Sequence, residues 1–256
     1  MTDADEYAVR NGPRSSPERG GSPLRHTAVA IVVTILAVVV GGVLTVPTLS
    51  MEPTVGAVAL VVVMAELGFG LTGVIFALST GRGLGWLNLD LAVDGRTLLR
   101  YVLGGAVVLF VFRSAVLAGA AALGVPFAPP QLTESRFDTR SFALALIPLS
   151  LFVIAPCEEL LFRGVLQQYL GEAVSPNAAI FTAGVLFGLV HIPNYTAYSA
   201  LGTAVSLAVV FVVGLGFGYA YERTGSLWVP IGVHGLYNAF IMASAVVLAE
   251  LGYVSL

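Results

Sequence analysis

Long, uncharged apolar stretches alternate with short polar segments along most of this chain. The apolar stretches are continuous, whereas strands of a membrane β-barrel alternate apolar and polar positions. A helix that crosses a bilayer core needs roughly 20 apolar residues. We therefore predict seven transmembrane helices, at residues 27–49, 55–79, 98–123, 141–170, 177–192, 197–221 and 227–249.

Two of these spans have unusual lengths. The fourth is long enough to emerge from the membrane or to bend at Pro148 or Pro156, because proline interrupts helical hydrogen bonding. The fifth is short, so it is tilted, re-entrant or begins inside a cavity. Since lipid offers no partner to unpaired backbone groups, the predicted fold class is an all-α polytopic transmembrane helical bundle without β-sheet. It has about seven spans, or eight if one helix is missed.

The chain divides into three parts by composition. Residues 1–25 are polar and carry four arginines among Gly, Ser, Pro and acids, so we predict a disordered tail. The apolar run at 27–49 is too long for a signal peptide and is predicted to be a retained first helix. Residues 26–140 then form the N-terminal transmembrane helices, and residues 141–250 form a C-terminal helical region that holds the buried polar motifs.

Composition supports a membrane protein and excludes other classes. The chain is 57% hydrophobic and only 11% charged, whereas soluble domains carry about 25% charged residues. The net charge of −3 argues against nucleic acid as a partner. The single cysteine, Cys157, excludes an intrachain disulfide and a thiolate metal cluster. Membrane lipid is thus an expected partner, whereas the sequence does not indicate the oligomeric state.

Arginines are concentrated on one side of the predicted topology. The N-terminal tail, the second-to-third connection and the sixth-to-seventh connection carry them, whereas the first connection has none. Because cytoplasmic loops are enriched in basic residues, we predict a cell-membrane protein with a cytoplasmic N-terminus and an external C-terminus.

The densest polar group in an apolar span contains Glu158, Glu159 and Arg163. Glu159 and Arg163 are four residues apart on one helix face and are predicted to pair. Glu158 is turned about 100° away, which leaves its carboxyl group free for proton transfer. The alternative is a helix that reaches the headgroups, where all three charges are solvated.

Two further spans contribute polar side chains. His191 ends the fifth span, and His234 and Asn238 lie one turn apart on one face of the seventh. His191 alone is compatible with a packing role, and His234 with Asn238 is compatible with hydrogen bonding between helices. Together with Glu158, however, the set supplies a general base, a partner that orients it and donors for an oxyanion.

Three motifs carry a family resemblance. They are E-E-x-x-x-R at residues 158–163, F-x-x-x-H at 187–191 and H-x-x-x-N at 234–238. In this order, each within an apolar helix, they resemble the CPBP family of intramembrane proteases, which includes type II CAAX prenyl endopeptidases and Abi bacteriocin-immunity proteins. The resemblance covers residues from about 141 to 249 and makes 141–250 the catalytic core. It implies an endopeptidase that cleaves a peptide or a membrane-associated protein.

The resemblance also implies a role for each motif residue. Glu158 and His191 would activate the attacking water, and His234 and Asn238 would stabilise the oxyanion. Glu159 and Arg163 occupy the supporting motif positions. Because some relatives are immunity or scaffold proteins, a non-catalytic role is one alternative, and a proton-coupled transporter is a less favoured one.

The cofactor requirement has two interpretations. Metal-independent water activation, with no cofactor, is favoured because the sequence lacks an H-E-x-x-H helix. A divalent metal such as zinc is the alternative, and Glu158, His191 and His234 would then be its three protein ligands.

Other features outside the motifs also predict contacts. Glu66 and Arg113 lie near the middle of the second and third spans, and we predict a buried ion pair between them. Gly214, Gly216 and Gly218 are predicted to allow close approach of neighbouring helices to the sixth span.

Overall fold

The residues that the structure describes form a bundle of seven apolar helices. The computed structural model describes residues 21–89, 93–125, 139–195 and 199–251. Six helices are long and apolar enough to cross a membrane, and a seventh is shorter, with 15 residues. The helices are α1 (Pro23–Thr45), α2 (Val55–Ser79), α3 (Gly95–Ala122), α4 (Arg140–Gly171), α5 (Pro176–Val190), α6 (Ala200–Thr224) and α7 (Trp228–Glu250).

The prediction of an all-helical membrane bundle is confirmed, and no strand occurs in the described ranges. Each predicted span corresponds to one observed helix. Helix α1 begins at Pro23 rather than residue 27, so the end of the predicted tail is helical. The disorder predicted for residues 1–20 concerns residues outside the described ranges.

Short polar side chains mark where several helices begin. Ser22 precedes Pro23, and Ser175 precedes Pro176, so each serine caps a helix whose first residue is proline. Their hydroxyls accept hydrogen bonds from the backbone N–H groups of Arg25 and Ala178. Such caps satisfy donors that have no partner within the helix, and proline at the first helical position lacks the N–H that would need one.

The outer surface of the bundle is apolar. Large hydrophobic side chains on several helices are exposed, and Phe152 on α4 is 76% exposed. A water-soluble protein rarely exposes so much contiguous apolar surface. The helices therefore present a lipid-facing exterior, as the continuous apolar stretches predict.

Helix α4 is interrupted by two π-helical segments, and only the first of them adjoins one of the two prolines, Pro148 and Pro156, at which a bend is predicted. One, Ser150–Ile154, follows Pro148, and the other, Leu160–Gln167, follows the acidic pair. Between them, five residues, Ala155–Glu159, form a regular α-helix. Wide turns of this kind often occur at functional sites, and here they flank Glu158 and Glu159.

The segment between α2 and α3 folds against the bundle. Its short 3₁₀ helix, Leu84–Leu87, buries Leu87 completely. The next residue, Asn88, donates hydrogen bonds to the Gln168 side chain and the Tyr221 hydroxyl. At the same end, Arg82 forms a bidentate ion pair with Glu172. These contacts tie the connection to α4 and α6.

Candidate active site

Helix α4 carries three charged side chains that are removed from solvent. Glu158 is 5% exposed, Glu159 is fully buried and Arg163 is 1% exposed. The alternative in which a helix end presents these charges to the headgroups is therefore wrong. Buried charges are stable only when they are paired or hydrogen-bonded, so the partners of these three groups determine what the site can do.

Glu159 is the centre of a buried hydrogen-bond network. Its Oε1 accepts from Arg163 Nη1 at 2.9 Å and from His234 Nδ1 at 2.7 Å. The predicted i,i+4 ion pair is thus confirmed, and the contact with His234 is an additional one that the sequence did not reveal. Because a carboxylate can only accept, His234 carries a proton on Nδ1 and directs Nε2 away from Glu159.

Aromatic rings enclose this network. The Arg163 guanidinium lies 4.6 Å from the centroid of Phe187 and 5.3 Å from that of Phe217. The His234 ring stacks on Phe217, with centroids 4.6 Å apart and planes at 19°. These apolar walls exclude water and attract the cation through the ring faces, so they strengthen the electrostatic interactions inside.

The three glycines of α6 allow close packing, as predicted. Gly214 accepts a hydrogen bond from Arg163 Nη2 at 2.8 Å through its carbonyl. Gly218 likewise accepts from Gln167 Nε2 at 3.1 Å. A Cβ at Gly214 would lie 2.9 Å from the Phe187 ring, and one at Gly216 would lie 2.8 Å from Leu109. Each glycine therefore faces a different neighbour.

We expect Gly214→Ala to destabilise the fold by about 1–3 kcal/mol, because the new methyl group must displace the Phe187 ring beside Arg163. Thermal unfolding of the purified protein measures this. The matched control is Gly119→Ala on α3, where an added Cβ meets nothing within 4 Å and removal of a helical glycine is neutral or stabilising. Equal unfolding midpoints for the two variants would contradict the predicted packing.

Glu158 lies between His191 and His234. Its Oε1 is 4.0 Å from His191 Nε2, and its Oε2 is 3.8 Å from His234 Nε2. Both distances exceed a direct hydrogen bond but fit a bridging water. The predicted convergence of Glu158, His191 and His234 from three helices is therefore present in the structure.

His191 has one ring nitrogen available for chemistry. It follows the last residue of α5, and its Nδ1 lies 2.7 Å from the Phe187 carbonyl oxygen. Since a carbonyl can only accept, Nδ1 is the donor and Nε2 of the neutral ring keeps its lone pair. That lone pair is on the nitrogen nearest Glu158, so His191 can accept a proton there.

The net charge of the buried cluster depends on one proton. Glu158 and Glu159 would contribute −2, and Arg163 contributes +1. A single additional proton, on either Glu158 or His234, makes the group neutral, whereas a net charge in this surrounding is costly. His234 Nε2 is 3.8 Å from Glu158 Oε2, so a proton on either group lies close to the other.

A cavity of about 650 Å³ opens onto these residues. Its volume lies within the roughly 300–1,000 Å³ typical of ligand sites. Asn238 lines it one turn after His234, although its amide makes no hydrogen bond within the described part of the chain. The N-terminal helices also contribute to its wall, through Glu66 on α2 and Arg113 on α3. The site thus extends beyond the region 141–250 that the sequence analysis designated as the core.

The predicted ion pair between Glu66 and Arg113 is wrong. Both side chains line the cavity, yet they form no ion pair in the described structure. Glu66 instead interacts electrostatically with Glu158, and its buried Oε2 has no hydrogen-bond partner in the described ranges. Arg113 lies within electrostatic range of Tyr195 and Tyr237. The similar predicted depths of Glu66 and Arg113 in the membrane were therefore not enough to identify their interaction partners.

The zinc alternative receives no geometric support. Among the described residues, no group of three or more His, Cys, Asp or Glu side chains could hold a metal ion. Glu158, His191 and His234 are neighbours, but their nearest N–O distances are 3.8 and 4.0 Å. Metal independence stays a prediction.

A family model matches the C-terminal region, and two curated proteins match part of the chain. Residues 140–240 match the family described as type II CAAX prenyl endopeptidase Rce1-like. From Bacillus subtilis (strain 168), "Uncharacterized protein YpbD" is 36% identical over 109 residues, which cover 41% of this chain and 50% of that protein. "Putative membrane peptidase YdiL" is 28% identical over 112 residues, covering 43% of this chain and 41% of that protein.

The chain thus spans half or less of the length of these two curated relatives. No solved structure matches the chain. The region matched by the family model nevertheless contains all three motifs that carry the resemblance. Residues 140–240 are therefore similar to the family described as type II CAAX prenyl endopeptidase Rce1-like, in agreement with the resemblance that the three motifs carry.

Proposed function

We propose that this protein is an intramembrane endopeptidase that hydrolyses a peptide bond in a membrane-associated peptide or protein. The observation that carries the proposal is the position of Glu158, whose two oxygens lie 4.0 and 3.8 Å from His191 Nε2 and His234 Nε2. All three groups border one cavity inside a bundle with an apolar exterior. Water and a peptide carbonyl can meet there.

Water activation is the first step of the proposed mechanism. A water between Glu158 Oε1 and His191 Nε2 donates one hydrogen bond to each, because both atoms are acceptors in these states. Glu158 takes a proton as the water oxygen attacks the carbonyl carbon and a C–O bond forms. A positioned base of this kind contributes about 10²–10⁴ in rate.

The negative charge on the carbonyl oxygen requires donors. His234 Nε2–H supplies one when the ring is doubly protonated, while Nδ1–H donates to the Glu159 carboxylate. Asn238 supplies a second from one turn further along α7. In soluble proteases, each such donor contributes about 10²–10³. The proton on Glu158 then passes to the leaving amine as the C–N bond breaks.

Glu159 and Arg163 act as positioning residues in this scheme. Arg163 is anchored to the Gly214 carbonyl at 2.8 Å and fixes Glu159 at 2.9 Å, and Glu159 in turn orients His234. Each side chain in this series is hydrogen-bonded to the next. The His234 imidazole therefore cannot rotate without breaking a buried charge-assisted hydrogen bond.

The proposal also covers the cellular location, the partners and the cofactor requirement. The protein acts in the cell membrane with its N-terminus in the cytoplasm, its partners are lipid and the peptide substrate, and it needs no metal. The arginine distribution supports the orientation. The two carboxylates and two imidazoles provide every proton transfer that peptide hydrolysis requires, which supports metal independence.

We expect His191→Gln to abolish processing of the natural substrate while the protein still accumulates in the membrane. Glutamine can still donate to the Phe187 carbonyl but has no basic nitrogen. Mass spectrometry of protein termini in membranes from wild-type and variant cells measures this. Fragments that depend on the wild-type protein should fall by at least about 10²-fold.

The matched control is His26→Gln. His26 also places Nδ1 against the carbonyl four residues earlier, at 3.1 Å from Ser22, but it lies outside the cavity. Its variant should yield the wild-type set of fragments. If His191→Gln also yields that set, the protein is a scaffold or immunity factor rather than a peptidase.

A further inference from the structure

Arg113 is a charged residue of the cavity that lies outside the family match. It is on α3, nine residues before the end of that helix at Ala122, and the matched region begins only at residue 140. Its side chain lines the same cavity as Glu158 and His191. An arginine at membrane depth is costly and marks a substrate or ion route by default.

This arginine has no anionic partner within the part of the chain that the structure describes. None of the described ion pairs or hydrogen bonds involves its guanidinium. The phenols of Tyr195 and Tyr237, which also line the cavity, interact with it electrostatically. A cation that faces a cavity and lacks an internal counterion can be compensated by a ligand.

Charged groups of both signs line the cavity. Glu158 and Glu66 contribute carboxyl groups that interact with each other, whereas Arg113 adjoins the two tyrosines. An anionic group on a substrate is repelled by the carboxylates and attracted to the arginine. The phenol O–H groups are further donors.

We propose that Arg113 is a specificity-determining residue that binds a carboxylate of the peptide substrate, close to the bond that is cleaved. This inference rests on the proposed peptidase function and deepens it. Arginine presents a planar fork of N–H donors that matches a carboxylate with two parallel hydrogen bonds. The carboxylate can belong to the C-terminus of the peptide or to an Asp or Glu side chain, and the test separates these sources.

Three peptide libraries test the proposal. Each contains random decapeptides with an N-terminal palmitoyl chain, so that they partition into detergent micelles. The first ends in a free carboxylate and lacks acidic side chains, the second is the same library with a C-terminal amide, and the third is the amide library with one aspartate per peptide. The proteins are wild type, Arg113→Met and Arg113→Lys, with hydrolysis followed by mass spectrometry.

We expect the KM of wild type to be lower for the free-acid or the aspartate library than for the plain amide library, by about tenfold or more. The reason is the charge-assisted hydrogen bonds that a carboxylate forms with Arg113. Arg113→Met should lose that preference while kcat on the amide library is retained. Arg113→Lys should keep part of it, because the positive charge remains. Equal use of all three libraries by wild type, or an unchanged preference in Arg113→Met, would overturn the proposal.

Binding provides a readout that does not depend on turnover. In the His191→Gln background, fluorescent members of the same libraries should bind with the same preference, and adding Arg113→Met should remove it. If wild type hydrolyses no library but the binding preference is present and depends on Arg113, the proposed peptidase function fails and the anion site stands. If binding shows no preference, the anion site fails whatever the hydrolysis result.

Discussion

Glu158→Gln is expected to reduce peptide hydrolysis by about 10²–10⁴-fold in kcat, with the protein still folded. The amide has nearly the shape of the carboxyl group but cannot take a proton from water. In the structure, the Glu158 carboxyl group is the one that faces both His191 Nε2 and His234 Nε2 across gaps of 4.0 and 3.8 Å. Single-turnover hydrolysis of the peptide libraries by purified protein measures the loss.

The control for this variant is Glu250→Gln on the last helical residue of α7. Glu250 forms an exposed ion pair with Arg140 at 3.7 Å, and such pairs contribute about 0–1 kcal/mol. Its kcat should match wild type. The unfolding midpoint of Glu158→Gln should stay within about 4 °C of wild type, which corresponds to about 1 kcal/mol. Full activity of a folded Glu158→Gln protein would remove Glu158 from the mechanism.

Arg163→Met is expected to lower the free energy of unfolding by about 3–5 kcal/mol, since it leaves the Glu159 carboxylate buried without its cation. This loss corresponds to a fall of roughly 6–20 °C in the unfolding midpoint. The same variant should lower kcat, because Glu159 would no longer be held against His234 Nδ1. Thermal unfolding and hydrolysis, measured on one preparation, provide both readouts.

The comparison pair is Arg82 with Glu172. It is also bidentate, but its side chains are 24% and 36% exposed, so Arg82→Met should cost about 1 kcal/mol or less. The double variant Arg163→Met with Glu159→Gln should be less destabilised than the sum of the two single variants, because no charge is left alone. Additive losses would show that Glu159 and Arg163 do not depend on each other.

The helices could be predicted from the sequence because each carries its own signal. Continuous apolar runs and prolines within α4 are local features, and local features specify helix positions. Likewise, the spacing of Glu159 and Arg163 determines their pairing, because residues four apart in a helix are neighbours.

Contacts between helices could be predicted less well. The hydrogen bond from His234 to Glu159 spans 75 positions in the chain, and no local pattern encodes it. Glu66 and Arg113 were assigned to each other by depth, whereas the rotation of α2 and α3 about their axes sets their actual neighbours. The family motifs identified the acid–histidine cluster, but the N-terminal half of the cavity lies outside them.

Helices α4 and α5 form a hairpin joined at residues 172–175, and its two arms place Glu158 and His191 at comparable depth. Glu158 lies 13 residues before Gly171, and His191 lies 15 residues after Pro176. At the α-helical rise of about 1.5 Å per residue, the α5 arm measures about 22 Å, and the α4 arm has a similar number of residues but includes the π-helical Leu160–Gln167. An insertion or deletion in either arm would therefore move one group by about 1.5 Å and turn it by about 100°, whereas the joining turn can change length without disturbing their register.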